Sequence, residues 1–166
     1  SPLTWDFIAE EDKAHTPLMV VQTEGREVKS NEGGTSKEYW LMDNRFHAKD
    51  KNVGSDTSIE SRELSDIGAR IAHMDELGID IQVLYPTLFL RPAVRTAAAE
   101  LAVTKGYNRW LASIWKHAPK RLPWVAMPPL MSPDKIRDEL TWAKDNGACG
   151  VFMRGLECDR TVADPF

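Results

Sequence analysis

Apolar positions fall into three short runs separated by longer stretches with helical spacing. The first run is Ile79, Ile81, Val83 and Leu84, closed by Tyr85-Pro86 within G-I-D-I-Q-V-L-Y-P-T (Gly78–Thr87). The second is Leu122–Met127 and the third Ala148–Met153. Runs this short and apolar read as strands buried on both faces. Ahead of the first run, Leu64, Ile67, Ile71, Met74 and Leu77 share one helical face, with Arg62, Glu63, Asp66, Arg70, His73, Asp75 and Glu76 mostly elsewhere. Thr57-Ser58-Ile59-Glu60 has the form of a capping box opening that helix, and Gly78 supplies its left-handed end. Pro92 marks the start of a second helix, which runs through Ala97–Leu101 to about His117, with Pro119 beyond it. Its stripes (Val94, Ala97, Ala98, Leu101, then Tyr107, Trp110, Leu111, Ile114, Trp115) slip in phase near Gly106. The helix therefore either bends there or is wrapped by core on more than one side. Pro123 belongs near the first residue of the second strand, because proline cannot donate to a ladder. Ser132-Pro133-Asp134 opens a third helix with Ile136, Leu140 and Ala143 inward, and Asn146-Gly147 closes it.

The N-terminal third is less regular. Trp5–Ala9 reads as a helical turn with a polar continuation over Glu10–Lys13. Leu18–Gln22 reads as a strand, and the turn residues after it predict a small hairpin returning at Val28 and Lys29. Asn31–Ser36 is a loop by composition, Tyr39–Met42 another short strand, and Asp43–Ser58 polar and loop-like. Trp5, Tyr39, Trp40, Leu41, Met42 and Phe46 are apolar anchors, so residues 1–57 are expected to form an ordered insertion ahead of a βα region over 58–166.

Alternating strands and helices predict an α/β fold with parallel strands. Three strands with two crossover helices do not separate a barrel from a doubly wound sheet. The strand-end loops fit a barrel rim better: they carry proline, aromatics and arginine (Y-P-T-L-F-L-R-P, M-P-P-L-M-S-P) and lack a glycine-rich phosphate fingerprint. That argues against a dinucleotide site and for a barrel rim.

Composition narrows the function classes. The 166 residues are 42% hydrophobic and 28% charged, ordinary for one globular domain with a real core. A net charge of -4 gives no reason to expect nucleic acid or an anionic membrane as a partner. No apolar run approaches the ~20 residues of a membrane span. Cys149 and Cys158 make no disulfide framework, which favours a reducing, cytoplasmic setting. The partner expected is a small molecule; association with further copies of the same chain stays open.

Candidate chemistry is sparse. His15, His47, His73 and His117 form no His-x-His or His-Glu-x-x-His pattern. His47, in an aromatic and charged loop, is the histidine placed to reach a substrate; the other three read as structural or solvated. Arg154 directly follows the third strand, where barrel enzymes place their chemistry, and could bind a carboxylate bidentately or pair with Glu157 or Asp159. Tyr85 and Thr87 are rim candidates at the end of the first strand, with Arg45 and Trp5 weaker. Asp75, Glu76 and Asp80 read as helix-end and surface charges, and Cys149 as a small core residue.

Four stretches together resemble the amidohydrolase-related family, in the branch that includes aminocarboxymuconate-semialdehyde decarboxylase. They are R-I-A-H-M-D-E-L-G-I-D-I-Q-V-L-Y-P-T (Arg70–Thr87), G-Y-N-R-W-L (Gly106–Leu111), R-L-P-W-V-A-M-P-P-L (Arg121–Leu130) and the loop ending in D-P-F (Asp164–Phe166). The resemblance implies a TIM-like (β/α)₈ barrel in which the strands seen here are the second to fourth, and residues 1–57 an elaboration after the first. It implies a divalent metal, often Zn²⁺, serving hydrolysis or decarboxylation. It also implies that the metal's ligands (His-x-His on the first strand, a His on the fifth, an Asp on the eighth) lie outside these 166 residues, so no metal is expected in this chain alone. Both ends read as cut, a barrel needs ~250 residues, and three strands leave two bare edges, so the expectation is part of a longer enzyme. Two alternatives stay in view: a metal-free binding module derived from that fold, and a complete small α/β enzyme with other chemistry.

Overall fold

A computed structural model describes residues 1–22, 37–49, 57–157 and 160–161. The fold is mixed α/β, with helices and small sheets, and the described residues form no closed barrel. The α-helices among the described residues are α1 (Ile59–Glu63), α2 (Ile67–Glu76), α3 (Ala97–His117) and α4 (Pro133–Asp145). The strands are β1 (Leu18–Gln22), β2 (Lys37–Met42), β3 (Arg45–Ala48), β4 (Trp124–Ala126), β5 (Ala148–Val151), β6 (Leu156–Glu157) and β7 (Arg160–Thr161).

The parallel layer follows the predicted order. β4 pairs in parallel with β5, and α4 makes the crossover. The 79–84 segment lies along the other side of β4. There the Gln82 N–H donates to the Arg121 carbonyl (2.9 Å), Leu84 N–H to Pro123 (2.8 Å), and Val125 N–H to Leu84 (3.2 Å). It makes a single parallel bridge, Leu84 to Trp124, rather than a full strand. Nor is it buried on both faces. Leu84 is 7% exposed, whereas Ile81 is 60% and Tyr85 61% exposed, with Val83 also open. Period two puts Ile81, Val83 and Tyr85 on the face opposite Leu84. β5 is likewise open at Cys149, Gly150 and Val151, so Cys149 is not the core residue its strand position suggested. Among the described residues of the parallel segments, only β4, between two neighbours, is buried throughout.

Helix ends show where local chemistry decides. Gly78 (φ 67°) ends α2 as expected: its N–H reaches the Asp75 carbonyl and Ile79 N–H the Met74 carbonyl, a Schellman closure. The single helix predicted through Leu64 is instead two. Ser58, not Thr57, caps α1, accepting from Ser61 N–H. Leu64 then turns left-handed (φ 56°), and Asp66 caps α2 by accepting from Ala69 N–H at 3.0 Å. Two competing caps within nine residues break what the apolar face alone would have joined. Leu77, placed on that face, is exposed. α3 begins at Thr96–Ala97 rather than Pro92, after a 3₁₀ turn over Thr87–Leu90. It ends at His117 as predicted. Its phase slip marks a helix wrapped on several sides. Ile8 lies so close to Gly106 that a Cβ there would sit 2.7 Å from its Cγ1.

The N-terminal segment forms 3₁₀ turns at Pro2–Phe7 and Glu10–His15, then an antiparallel sheet in the order β1-β2-β3. β1 pairs with β2 (Leu18↔Leu41); the return predicted at Val28-Lys29 lies outside the described residues. The stretch after Met42, expected as loop, contains β3. Asp43 and Asn44 both take positive φ, as a two-residue type I′ hairpin turn requires, and let the chain fold straight back. Trp5, Ile8, Trp40 and Met42 join the same apolar cluster as Met74, Phe89, Val103, Tyr107, Leu111, Leu122 and Trp124. Phe46, expected as an anchor, is 63% exposed. Among the described residues no helix is long and apolar enough to cross a membrane.

Candidate anion pocket

A cavity of about 610 Å³ opens where the parallel segments end. Its wall combines residues after the 79–84 segment (Phe89, Pro92–Arg95), the end of β4 and the loop beyond (Met127, Met131), and residues after β5 (Arg154, Leu156). α3 contributes Glu100, Val103 and Thr104, and the hairpin contributes Arg45. In α/β folds the C-terminal ends of parallel strands are where ligands bind, because the chain turns away there and leaves a crevice.

Two joints set the shape of this crevice. Asn108, fully buried on α3, donates from Nδ2 to the Met127 carbonyl (2.9 Å) and accepts at Oδ1 from the Met127 N–H (2.9 Å). That reciprocal pair satisfies the last backbone groups of the β4 run and pins its end to the helix. Glu139 of α4 accepts from both Asn108 (2.8 Å) and Arg109, and Arg109 lies over the Trp142 ring at 3.8 Å. At the other joint, Asp43 in the hairpin turn accepts from Arg95 N–H (2.7 Å), Thr96 N–H (2.9 Å) and the Thr96 hydroxyl (3.1 Å). It fastens the hairpin to the start of α3 and brings Arg45 to the pocket mouth. These bonds, Arg95 N–H first, hold the Asp43 carboxyl below its ordinary range.

The charged groups of the pocket differ in what holds them. Arg154 is engaged: Nε and Nη2 face Glu157, whose Oε1 also accepts from Arg154 N–H (2.7 Å), and Nη1 donates to the Phe89 carbonyl (3.0 Å). It ties the end of β5 to the loop after the 79–84 segment, and Glu157 neutralises its charge. Arg45 and Arg95 are exposed and have no ion pair among the described residues. Glu100 is 7% exposed and accepts from Met131 N–H at 2.6 Å through Oε2. Burial raises its carboxyl above the ordinary value, and the like charge of Glu157 adds to this; the Met131 N–H and Arg154 work the other way.

Of the residues expected from sequence to meet substrate, Arg154 lines the pocket, joined by Arg45. Tyr85 and Thr87 stand exposed on the rim outside it. His47, on β3, is half-buried with Nε2 enclosed and unpartnered, and it does not line the cavity. Trp5 stacks edge-on against Trp40 and Phe89 behind the wall. Glu100, Arg95, Phe89 and Met127 were not anticipated. Glu100 had a signal: positions 100, 103, 104, 107, 108 and 111 form one buried face, so a carboxylate rides in phase with an apolar stripe. Among the described residues no group of three or more His, Cys, Asp and Glu side chains could hold a metal ion.

Comparison with family models and with curated proteins finds no match for this chain.

Proposed function

We propose that this chain is an N-proximal part of a metal-dependent, amidohydrolase-related enzyme, a hydrolase or decarboxylase acting on a small carboxylate-bearing substrate. Its parallel segments would be strands two to four of a (β/α)₈ barrel. The observation that carries the reading is the position of the pocket at the ends of three parallel segments, with arginines from separate elements around it. The open apolar face of Ile81, Val83 and Tyr85 supports it too, since in a closed barrel that face would pack inward. The described residues do not fit a metal, and in this reading its ligands come from strands beyond this sequence. What these residues supply is shape and charge: Phe89, Val103 and Met127 take an apolar body, Arg45 and Arg95 draw in an anion, and Arg154 holds the wall. The exposed thiol of Cys149 fits a reducing, cytoplasmic setting.

The encoding DNA tests the barrel. In-frame codons for His-x-His upstream and for a strand ending in histidine downstream are the expected result; stop codons on both sides overturn it. A metal-free binding module is the second reading, favoured by the joints at Asn108 and Asp43, which fix two walls of the pocket from within this chain's own elements. Zinc analysis of the purified chain bears on both, with no stoichiometric metal expected and one tightly bound Zn²⁺ contradicting either.

A further inference from the structure

The pocket presents a conflict if its ligand is an anion. Arg45 and Arg95 attract one, but Glu100 stands in the same wall with only Oε2 hydrogen-bonded. The Leu130 N–H also bears on this carboxylate, while Oε1 makes no hydrogen bond of ordinary geometry and is not among the enclosed orphan atoms, so a ligand can reach it. Arg154, nearest in chemistry to a counter-charge, is already neutralised by Glu157. An ionised Glu100 would repel an arriving carboxylate at short range in a poorly solvated place, where such repulsion is large. A protonated Glu100 would instead offer an O–H donor, and an acid–carboxylate hydrogen bond is among the short, strong ones.

We propose that Glu100 is the proton-bearing partner of the ligand's carboxylate, so that each anion entering the pocket is accompanied by one proton bound at Glu100 Oε1. This rests on the reading of the pocket as a carboxylate site and adds the residue that makes binding proton-coupled. The proton comes from solvent, Glu100 becomes neutral, and no covalent bond of the ligand changes. The charged groups around it are Glu157 and Arg154 beyond β5, Arg95 ahead of α3, and Arg45 on β3; the loop after β4 contributes only backbone N–H. Arginine keeps its charge across the range that matters, leaving Glu100 and its pairing with Glu157 to set the dependence.

Benzoate titrated into the chain by calorimetry, in two buffers of different protonation enthalpy, tests this. The expected result is uptake of close to one proton, with Kd weakening roughly tenfold per pH unit above the pKa of Glu100. The variant Glu100→Gln keeps an acceptor for Met131 N–H and a donor for the ligand, so it should bind benzoate with no proton uptake and a flat pH profile. Wild-type binding that is flat with pH, or a slope retained in Glu100→Gln, overturns the proposal while leaving the carboxylate site standing. Preference for benzamidine over benzoate overturns it as well, since that marks an ionised Glu100 receiving a cation. Failure of benzoate and other small carboxylates to bind folded chain at any pH removes the carboxylate site itself.

Discussion

The two joints that hold the pocket are built from similar parts and should behave differently. In each, one short polar side chain satisfies several groups of a distant element: Asn108 the end of the β4 run, Asp43 the start of α3. Asn108 is fully buried and neutral, in a network closed by Glu139 and Arg109. Asp43 is charged and its bonds are exposed. Water can replace Asp43's bonds and cannot replace those of Asn108, so the Asn108 joint should be stiff and costly to break, and the Asp43 joint adjustable. The pocket thus has one wall fixed by the core and another set by a hairpin held from outside.

The largest effect is expected at Asn108. Asn108→Ala strands the Met127 N–H and carbonyl in the interior and takes a partner from Glu139, which costs about 3 kcal/mol. That is a fall of roughly 10 °C in melting temperature for a chain of this size, readable by circular dichroism. A loss below about 1 kcal/mol would mean water reaches the joint, and the contrast with Asp43 would disappear.

Between the two lies a contact with no hydrogen bonds to lose. Ile8 packs on α3 where Gly106 has no side chain, and a Cβ there would come within 2.7 Å of Ile8 Cγ1 and 3.5 Å of its backbone nitrogen. Gly106→Ala should gain about 1 kcal/mol in helix propensity and lose about 1–3 kcal/mol to overpacking, for a modest net destabilisation. Pairing it with Ile8→Val tests the cause, since the smaller side chain should recover part of the loss. Stabilisation by Gly106→Ala alone would show that the N-terminal segment is loosely seated.

How far these features could be read in advance follows the same division. The Gly78 closure of α2, the end of α3 near His117 and the Ser132-Pro133 opening of α4 depend on neighbours a few residues away, and the pattern states them. Arg154 is expected directly after a strand ending at Met153, whereas β5 ends at Val151 and Arg154 lies in the segment beyond it; that Glu157 and the Phe89 carbonyl would occupy it has no local signal. Asn108 meets Met127 across 19 positions and Asp43 meets Arg95 across 52, and nothing local marks either as a joint. The Asp43-Asn44 pair was a hairpin signal read as loop polarity. The exposed thiol of Cys149 and the bare faces of Ile81 and Val83 mislead in another way: their sequence anticipates burial that the described residues do not provide.

The smallest effect, and the one that separates the joints most clearly, concerns Asp43 and pH. Its folded carboxyl lies below the ordinary value, so its contribution is fully present above the ordinary aspartate range and is lost as pH falls through the lowered folded value. Asp43→Ala should cost about 1 kcal/mol near neutral pH, as removal of a helix cap does, with the deficit shrinking toward zero in acid and diminishing with added salt. Asp43→Asn, which keeps one acceptor oxygen and loses the charge, should sit between the two and show no pH dependence of its own. Asn108→Ala has no titrating group to lose, so its deficit should not follow this titration. Parallel pH profiles for the two alanine variants would mean that one cooperative element holds both walls, and that the hairpin does not adjust independently of the core.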